Sequence, residues 1–509
     1  MKRSSSKPAL APAEYACLDG VGLAELVTRR EISIPELMAS ARAAIDRANP
    51  TVNAIIEIYE DRFDDPETGL MNGPLKGVPF LIKDVTAHFG GRKLEYASRL
   101  CEGYVVPEDD HYATMVKGTG VNLVGRSHTP EFSMALCADS VLYGATSNPW
   151  KRGYSTSGSS GGAAAAVASG MVPIAHASDL GGSTRGPAAW CGTVGLHPSR
   201  GRVSQGPAFD ERSNGMSQSS VVTRTMRDTA VMLDALSAPQ PGDPFIIRRP
   251  ERPYTSLLNG TDRKLKIGWS AGPLMDAPVD PEIAAAVEAT AKALAGLGHH
   301  VEESSPIFDL VDMDRMLTEL WYFQFDKYLD GLGARSGRSR AGTVERATLA
   351  FYEFAKSRSV EAYFAAVEKL SFSVARSAGG LRATTSGSPT CAQVAQPNGV
   401  YGMNIDVPPL EFLQHEQRPC QFMVWVNVCG VPAISLPLGQ HTNGLPIGVQ
   451  CRVQAMRNTS SVLAPSWRTM PGGTNPPLHE PDDGSDRPRV KDVTGPDTQA
   501  GQFQTEHGH

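Results

Sequence analysis

From Thr156 to Gly170 the chain reads TSGSSGGAAAAVASG, a stretch in which no residue is larger than valine. Its first half is Gly/Ser punctuation and reads as a loop; its second half reads as a small-residue helix stopped by Gly170. The apolar run MVPIAHA follows as a buried strand and leads into Asp179-Leu180-Gly181-Gly182-Ser183. A loop, a helix, a strand and a second Gly-rich loop in immediate succession constrain the fold more than any other segment. They point to an α/β chain in which polar loops sit at strand and helix ends.

The same alternation recurs elsewhere. The first sixty residues read as helices, among them IPELMASARAAIDRANP after Ser33, with Pro35 tolerated in a first turn. VPFLI (78–82) reads as a short apolar strand ending at Lys83-Asp84, 113–117 as helical, and VNLVG (121–125) as a further strand. KLKIGWS (264–270), PEIAAAVEATAKALAGLG (281–298) and HHVEE (299–303) form a strand–helix–strand unit of the length a parallel crossover needs. AISLPL (433–438) and PIGVQ (446–450) are late strands. The expected class is α/β: one large domain with a twisted mixed sheet covered by helices.

Composition narrows the function. Lys plus Arg number 48 against 54 Asp plus Glu, so the net charge of −6 offers no electrostatic footprint for nucleic acid or an anionic membrane. The richest apolar stretch, Phe422 to Ile434, is broken by Asn427, Gly430 and Pro432 and is too short to span a bilayer. The N-terminus has basic residues but no apolar segment of the secretory kind. Eight scattered Cys with no CxxC pair read as reduced thiols of a cytoplasmic protein, without a structural zinc. From about Arg452 the hydrophobic periodicity ends in a Pro/Gly-rich tail that is expected to be disordered.

Three places could carry chemistry: Lys83 at a strand end, the GSSGG loop, and DLGGS. Each alone has an ordinary reading, as a solvated charge or a plain loop. GSSGG also fits GxSxG with Ser160 in the third position, the pattern of a nucleophile elbow. An elbow requires a buried strand directly before it, and KRGYSTS (151–157) is not one. The phosphate-binding pattern GxxxxGK[ST] is absent.

Together the three places are far more specific. GVPFLIKD (77–84), TSGSSGGAAAAVASG (156–170) and DLGGSTRGPAAWCGTVGLHPSRGRVS (179–204) resemble the amidase signature family of serine hydrolases, and the spacing 183 − 159 = 24 agrees with it. The resemblance runs from about Leu18 to Gln450, within an expected catalytic domain of 15–451. AAAAVASGMVPIAHASD and CAQVAQPNGVYGMNID are most similar to the branch containing cyclic-amide hydrolases, including those of 6-aminohexanoate cyclic dimer. It implies the amidase signature fold, with Ser183 as nucleophile, Ser159 as the middle member on a cis peptide bond from Gly158, and Lys83 as base. It also implies an oxyanion hole from the amides of Leu180, Gly181 and Gly182 with that of Ser183, and support from Gly158, Ser160, Asp179 and Arg185.

The chemistry agrees with the residue types. A serine hydroxyl needs a base within hydrogen-bond reach, and a lysine serves only if burial lowers its pKa from about 10.4. The implied reaction is two-step hydrolysis of a carboxamide, linear or cyclic, with no metal and no organic cofactor. The partners implied are a small-molecule amide substrate, no nucleic acid and no membrane, with a homodimer as an assembly the resemblance allows. Two other readings stand beside it: the amidase-type subunit of a tRNA-dependent amidotransferase, and an esterase using Ser160. His176 and His197 are expected to be packing or loop residues.

The chain departs from the family pattern in four places. Gly186 replaces a branched apolar residue, a change expected to loosen the nucleophile loop or widen the pocket. Ala177-Ser178 replaces Gly-Thr. SAGGLRATTSGS (377–388) stands where the family has an aromatic-rich helix end and a strand, and the tail from 452 replaces a closing helix. Back-translated and read from the third base, 377–388 and the stretch from Cys451 both regain family-like character. A shifted reading frame in 377–388 and in 452–509 accounts for both. The pocket is expected near Glu131–Met134 and in 310–330.

Overall fold

The computed structural model describes residues 7–209, 211–259, 264–304, 310–380 and 385–453. The tail beyond 453 and positions 381–384 of the anomalous stretch lie outside these residues. The main sheet has eleven strands, here numbered in chain order: β1 (Ile55–Ile58), β2 (Pro79–Lys83), β3 (Asn122–Ser127), β4 (Ile174–Asp179), β5 (Val194–His197), β6 (Gln218–Thr223), β7 (Lys266–Trp269), β8 (His300–Glu303), β9 (Thr385–Pro389), β10 (Ala433–Gln440) and β11 (Pro446–Val453). Their spatial order is β1-β3-β2-β4-β6-β5-β10-β11-β9-β7-β8. Parallel pairs (β2–β3, β2–β4, β9–β7, β7–β8) flank a central run of antiparallel ones, so the sheet is mixed, as the α/β sequence pattern predicts.

The apolar runs explain the centre of this order. Every residue of PFLIK and of IAHASD is buried, because helices cover both faces there and no face needs to be polar. The helix Gly161–Ala168 packs among them with Gly161 to Val167 all buried, a close approach that only small side chains permit. On the outer surface, Ile34–Val52 begins with a capping box: the Glu36 side chain accepts from the Ser33 amide and Ser33 caps the Glu36 amide. Among the described residues no helix is long and apolar enough to cross a membrane.

Two departures from the sequence reading are instructive. The first sixty residues are not helical throughout, since IIEI (55–58) is an edge strand antiparallel to β3. The chain also makes a strand at TSGSP (385–389), where apolar signal is lacking. Backbone pairing to β11 on one side and β7 on the other supplies its ladder. Its buried hydroxyls are answered locally: Gln450 Nε2 donates to Ser388 Oγ at 3.3 Å, and the next residue but one, Thr390, meets Ser435 Oγ at 2.9 Å.

Candidate active site

Lys83 closes β2 with its side chain fully buried. Its backbone N–H donates to His176 Nδ1 at 3.2 Å, which fixes the strand end against β4. Its Nζ lies 2.6 Å from Ser159 Oγ and 3.1 Å from Ser178 Oγ. Burial lowers the Lys83 pKa to about 7, with the charge of Asp179 acting the other way. An amine in that range is available as a base near neutral pH.

Ser159 comes from the Gly/Ser loop, and the Gly158–Ser159 peptide bond is cis. Glycine is required at 158 because a Cβ there would lie 2.1 Å from the carbonyl oxygen of Ala135 and 2.4 Å from the amide of Cys137. Ser160 is completely buried. Its amide donates to the carbonyl of Ser183 at 3.1 Å, and its hydroxyl donates to the carbonyl of Ser178 at 3.3 Å. Ser160 therefore stitches the two serine loops together, with its hydroxyl turned to the Ser178 carbonyl. No strand precedes it, so the elbow arrangement is missing.

Ser183 sits in the turn between β4 and the helix Arg185–Cys191. It is half-buried, and its hydroxyl has no partner among the described residues. Asp179 organises this turn from below. Its two carboxylate oxygens accept from the amides of Gly182 (2.8 Å), Thr184 (3.2 Å) and Arg185 (3.3 Å), and from the Arg185 guanidinium at two points, both 2.9 Å. Burial opposes ionisation of Asp179. The charges of Arg185 and His197 and these hydrogen bonds outweigh it and hold the carboxyl far below its usual range.

The expected oxyanion donors Leu180, Gly181, Gly182 and Ser183 are not equivalent in this arrangement. The Gly182 amide, at a φ of 122°, is turned inward to Asp179 and is not free for a substrate oxygen. The cause is the four-residue spacing Asp-x-x-Gly, in which the acidic side chain caps the turn three residues on. The amides of Leu180, Gly181 and Ser183 remain, with no acceptor among the described residues. Among the described residues the Ser159 hydroxyl is engaged by Lys83 and makes no hydrogen bond to the Ser183 hydroxyl.

The remaining expectations fall as follows. His176 and His197 are buried strand residues, and burial lowers the pKa of each, that of His197 to about 3. Gly186 does not open a pocket on its own face, since a Cβ there would meet Ser157 Oγ at 3.0 Å and Met423 Cε at 3.3 Å. Glu131 is locked into structure, accepting from Ser98 Oγ at 2.6 Å and from the Glu345 amide at 2.8 Å. The 310–330 region does reach the site. The Trp321 ring lies 3.5 Å from where a Cβ of Gly181 would stand.

Sequence reasoning missed four groups. Ser178 is the second hydroxyl on Lys83. Asn427 donates to Asp179 Oδ1 at 2.9 Å and accepts from Arg185, while Gln450 accepts a further Arg185 bond. Met423 fills the space above Gly182, with Sδ 2.7 Å from the Cβ position. A signal existed for Asn427: it is the lone amide in the apolar stretch 422–429.

The chain is similar to known proteins along most of its length. Residues 36–367 match the profile of the Amidase family. The 6-aminohexanoate-cyclic-dimer hydrolase of Pseudomonas sp. (strain NK87) is 33% identical over 450 residues, covering 85% of this chain and 90% of the relative. The acylamidase of Rhodococcus erythropolis is 35% identical over 303 residues, covering 57% of this chain and 62% of its own length. A solved structure of 6-aminohexanoate cyclic dimer hydrolase with substrate superposes with a TM-score of 0.85 at 30% identity, covering 91% of this chain and 99% of the other. The chain is an amidohydrolase and belongs to the amidase signature family.

Proposed function

We propose that the chain cleaves a carboxamide through an acyl-enzyme on Ser183, with Lys83 as base and Ser159 as proton relay. The observation that carries this is the 2.6 Å contact between a fully buried lysine and Ser159. Neutral Lys83 takes the Ser159 proton as Ser159 takes that of Ser183, whose oxygen attacks the carbonyl carbon. The relay requires the Ser183 hydroxyl to turn toward Ser159 as substrate binds. The amides of Leu180, Gly181 and Ser183 receive the oxyanion, each such donor typically contributing roughly 3 kcal/mol. The proton returns along the same path to the leaving nitrogen, and water then releases the acid.

The substrate is a small aliphatic amide, linear or cyclic, a reading supported by the named activity of the cyclic-dimer hydrolases. The protein works in the cytoplasm as a homodimer, with its eight cysteines as free thiols. Neither nucleic acid nor membrane is a partner. The test is hydrolysis of a panel of linear and cyclic amides by the wild type and by Lys83→Ala, Ser160→Ala and Ser183→Ala. Near-total loss is expected for Lys83 and Ser183 and partial loss for Ser160. A chain that turns over amides only when mixed with an amidotransferase partner would reverse the reading.

A further inference from the structure

Lys83 is gripped at both ends by one face of β4. Its backbone N–H donates to His176 Nδ1 at 3.2 Å, and its Nζ lies 3.1 Å from Ser178 Oγ. His176 and Ser178 are two residues apart in a strand that is buried along its whole length, so their side chains leave β4 on the same side. Ser178 is itself tied to the serine loop. Its carbonyl accepts from the Ser160 hydroxyl at 3.3 Å, and its amide donates to Ser160 Oγ at 3.4 Å. Ser160 is the chain neighbour of Ser159, which meets Lys83 Nζ at 2.6 Å. These contacts close a ring from Lys83 through Ser178, Ser160 and Ser159 back to Lys83.

The proton inventory gives each contact a direction. A neutral amine has two N–H donors and one electron pair. As a base, Lys83 needs that pair on the Ser159 hydroxyl, so an N–H is left to donate to Ser178 Oγ. One neighbour alone leaves the Nζ group free to turn about its last C–N bond, and a second removes that freedom. Once Lys83 has taken a proton, the Ser178 oxygen accepts from an ammonium, a charge-assisted and stronger bond. Few other groups act on this proton. From β4, Asp179 acts by its charge, and His176 is held neutral because burial lowers its pKa. From β3, Arg126 is paired with Asp84 at 2.6 Å, and the helix Gly161–Ala168 has no titratable side chain.

We infer that Ser178 is a positioning residue that holds Lys83 Nζ with its electron pair turned to the Ser159 hydroxyl, an assignment that rests on Lys83 as the base of the proposed reaction. Ser160 then serves the reaction through Ser178, whose backbone it fixes. Loss of the Ser178 oxygen leaves the neutral amine poorly aimed and the ammonium with one acceptor fewer. The first effect slows proton transfer. The second makes Lys83 hold its proton less tightly, so its titration moves to lower pH. A side chain that only filled space in β4 would not move that titration.

Two measurements decide it. The first follows the rate of Ser183 labelling by a fluorophosphonate as a function of pH, in the wild type, Ser178→Ala and Ser178→Thr. The wild-type rate is expected to climb as pH passes about 7. In Ser178→Ala the plateau rate is expected to fall by about tenfold. The climb is expected to move down by about one pH unit, the difference between a charged and a neutral bond. Ser178→Thr keeps the oxygen and is expected to climb where the wild type does. A climb that stays near 7 in Ser178→Ala, or one displaced equally in both variants, overturns the assignment. The second measurement needs no reaction at Ser183. Urea unfolding of the wild type and of Ser178→Ala, each against the same protein carrying Lys83→Met, gives the pH at which Lys83 begins to add stability as pH rises. That onset is expected about one unit lower in Ser178→Ala, and coincident onsets overturn the assignment. If Ser183 takes no label in any variant, the acyl-enzyme reading fails, while the onset still tests the Ser178 contact.

Discussion

Two fully buried arginines lie close to the same strand, β11, and they are treated in opposite ways. Arg185 gives bonds to Asp179, Asn427, Gln450 and the carbonyl of Met423, so its desolvated charge is matched on every side. Arg452, two residues after Gln450 and so on the same face of β11, has no hydrogen-bond partner for Nε and one terminal nitrogen among the described residues. Its guanidinium stacks 4.1 Å from the Trp425 ring, and burial lowers its pKa to about 9, with Arg185 adding to the shift. A buried cation organises a site when its acceptors are built with it, and strains a core when they are not. Arg185 belongs to the first kind and Arg452 to the second. Arg452 stands where the sequence is expected to depart from the family pattern.

The contrast can be broken from either side. Arg185→Met leaves Asp179 as a buried anion without its main partner. It is expected to cost about 3–5 kcal/mol in urea unfolding and to abolish amide hydrolysis. If that variant keeps wild-type stability, the matched network is not what holds the nucleophile loop. Arg452→Leu should act in the other direction, raising stability by about 1–3 kcal/mol as two unsatisfied donors leave the core; a loss of stability would mean that Arg452 has a use.

Lys83 sharpens the same comparison, as a buried cation kept near its neutral form. Its pKa falls from 10.5 to about 7 on folding, so between those values the unfolded chain binds more protons than the native one. Wild-type stability should therefore rise with pH from about 7 toward 10.5, by up to about 1.4 kcal/mol per unit, relative to Lys83→Met. Parallel curves for the two proteins would refute the depressed pKa. The corresponding kinetic trace is a kcat/KM that climbs as pH rises through about 7. A smaller effect is expected for Ser160→Ala, which loses the 3.3 Å hydroxyl bond to Ser178 and should lower activity without eliminating it.

The gene offers an independent check on the Arg452 side. Sequencing is expected to find shifted frames across codons 377–388 and from about 452 onward. An unbroken frame matching this protein would dismiss that origin for Arg452.

Much of the fold and site was legible in the sequence for identifiable reasons. Apolar runs such as PFLIK announce central strands, and the serine loops carry their chemistry in contiguous residues. What was not legible depends on partners distant in the chain. The Gly182 amide is visible in sequence, but its capture by Asp179 is a matter of backbone direction. Gln450 and Asn427 reach Arg185 from beyond position 420, and nothing local marks Gln450. Strand β9 escaped notice because Thr, Ser and Gly show no apolar alternation, although β11 pairs with it along its length and β7 with its first three residues.

The central claim is that Ser183, driven by Lys83 through Ser159, is the nucleophile. Incubation with a fluorophosphonate, followed by intact-mass measurement and peptide mapping, tests it most directly. One adduct is expected, on Ser183, absent in Ser183→Ala and formed far more slowly in Lys83→Ala. An adduct on Ser160, or undiminished labelling in Ser183→Ala, would contradict it.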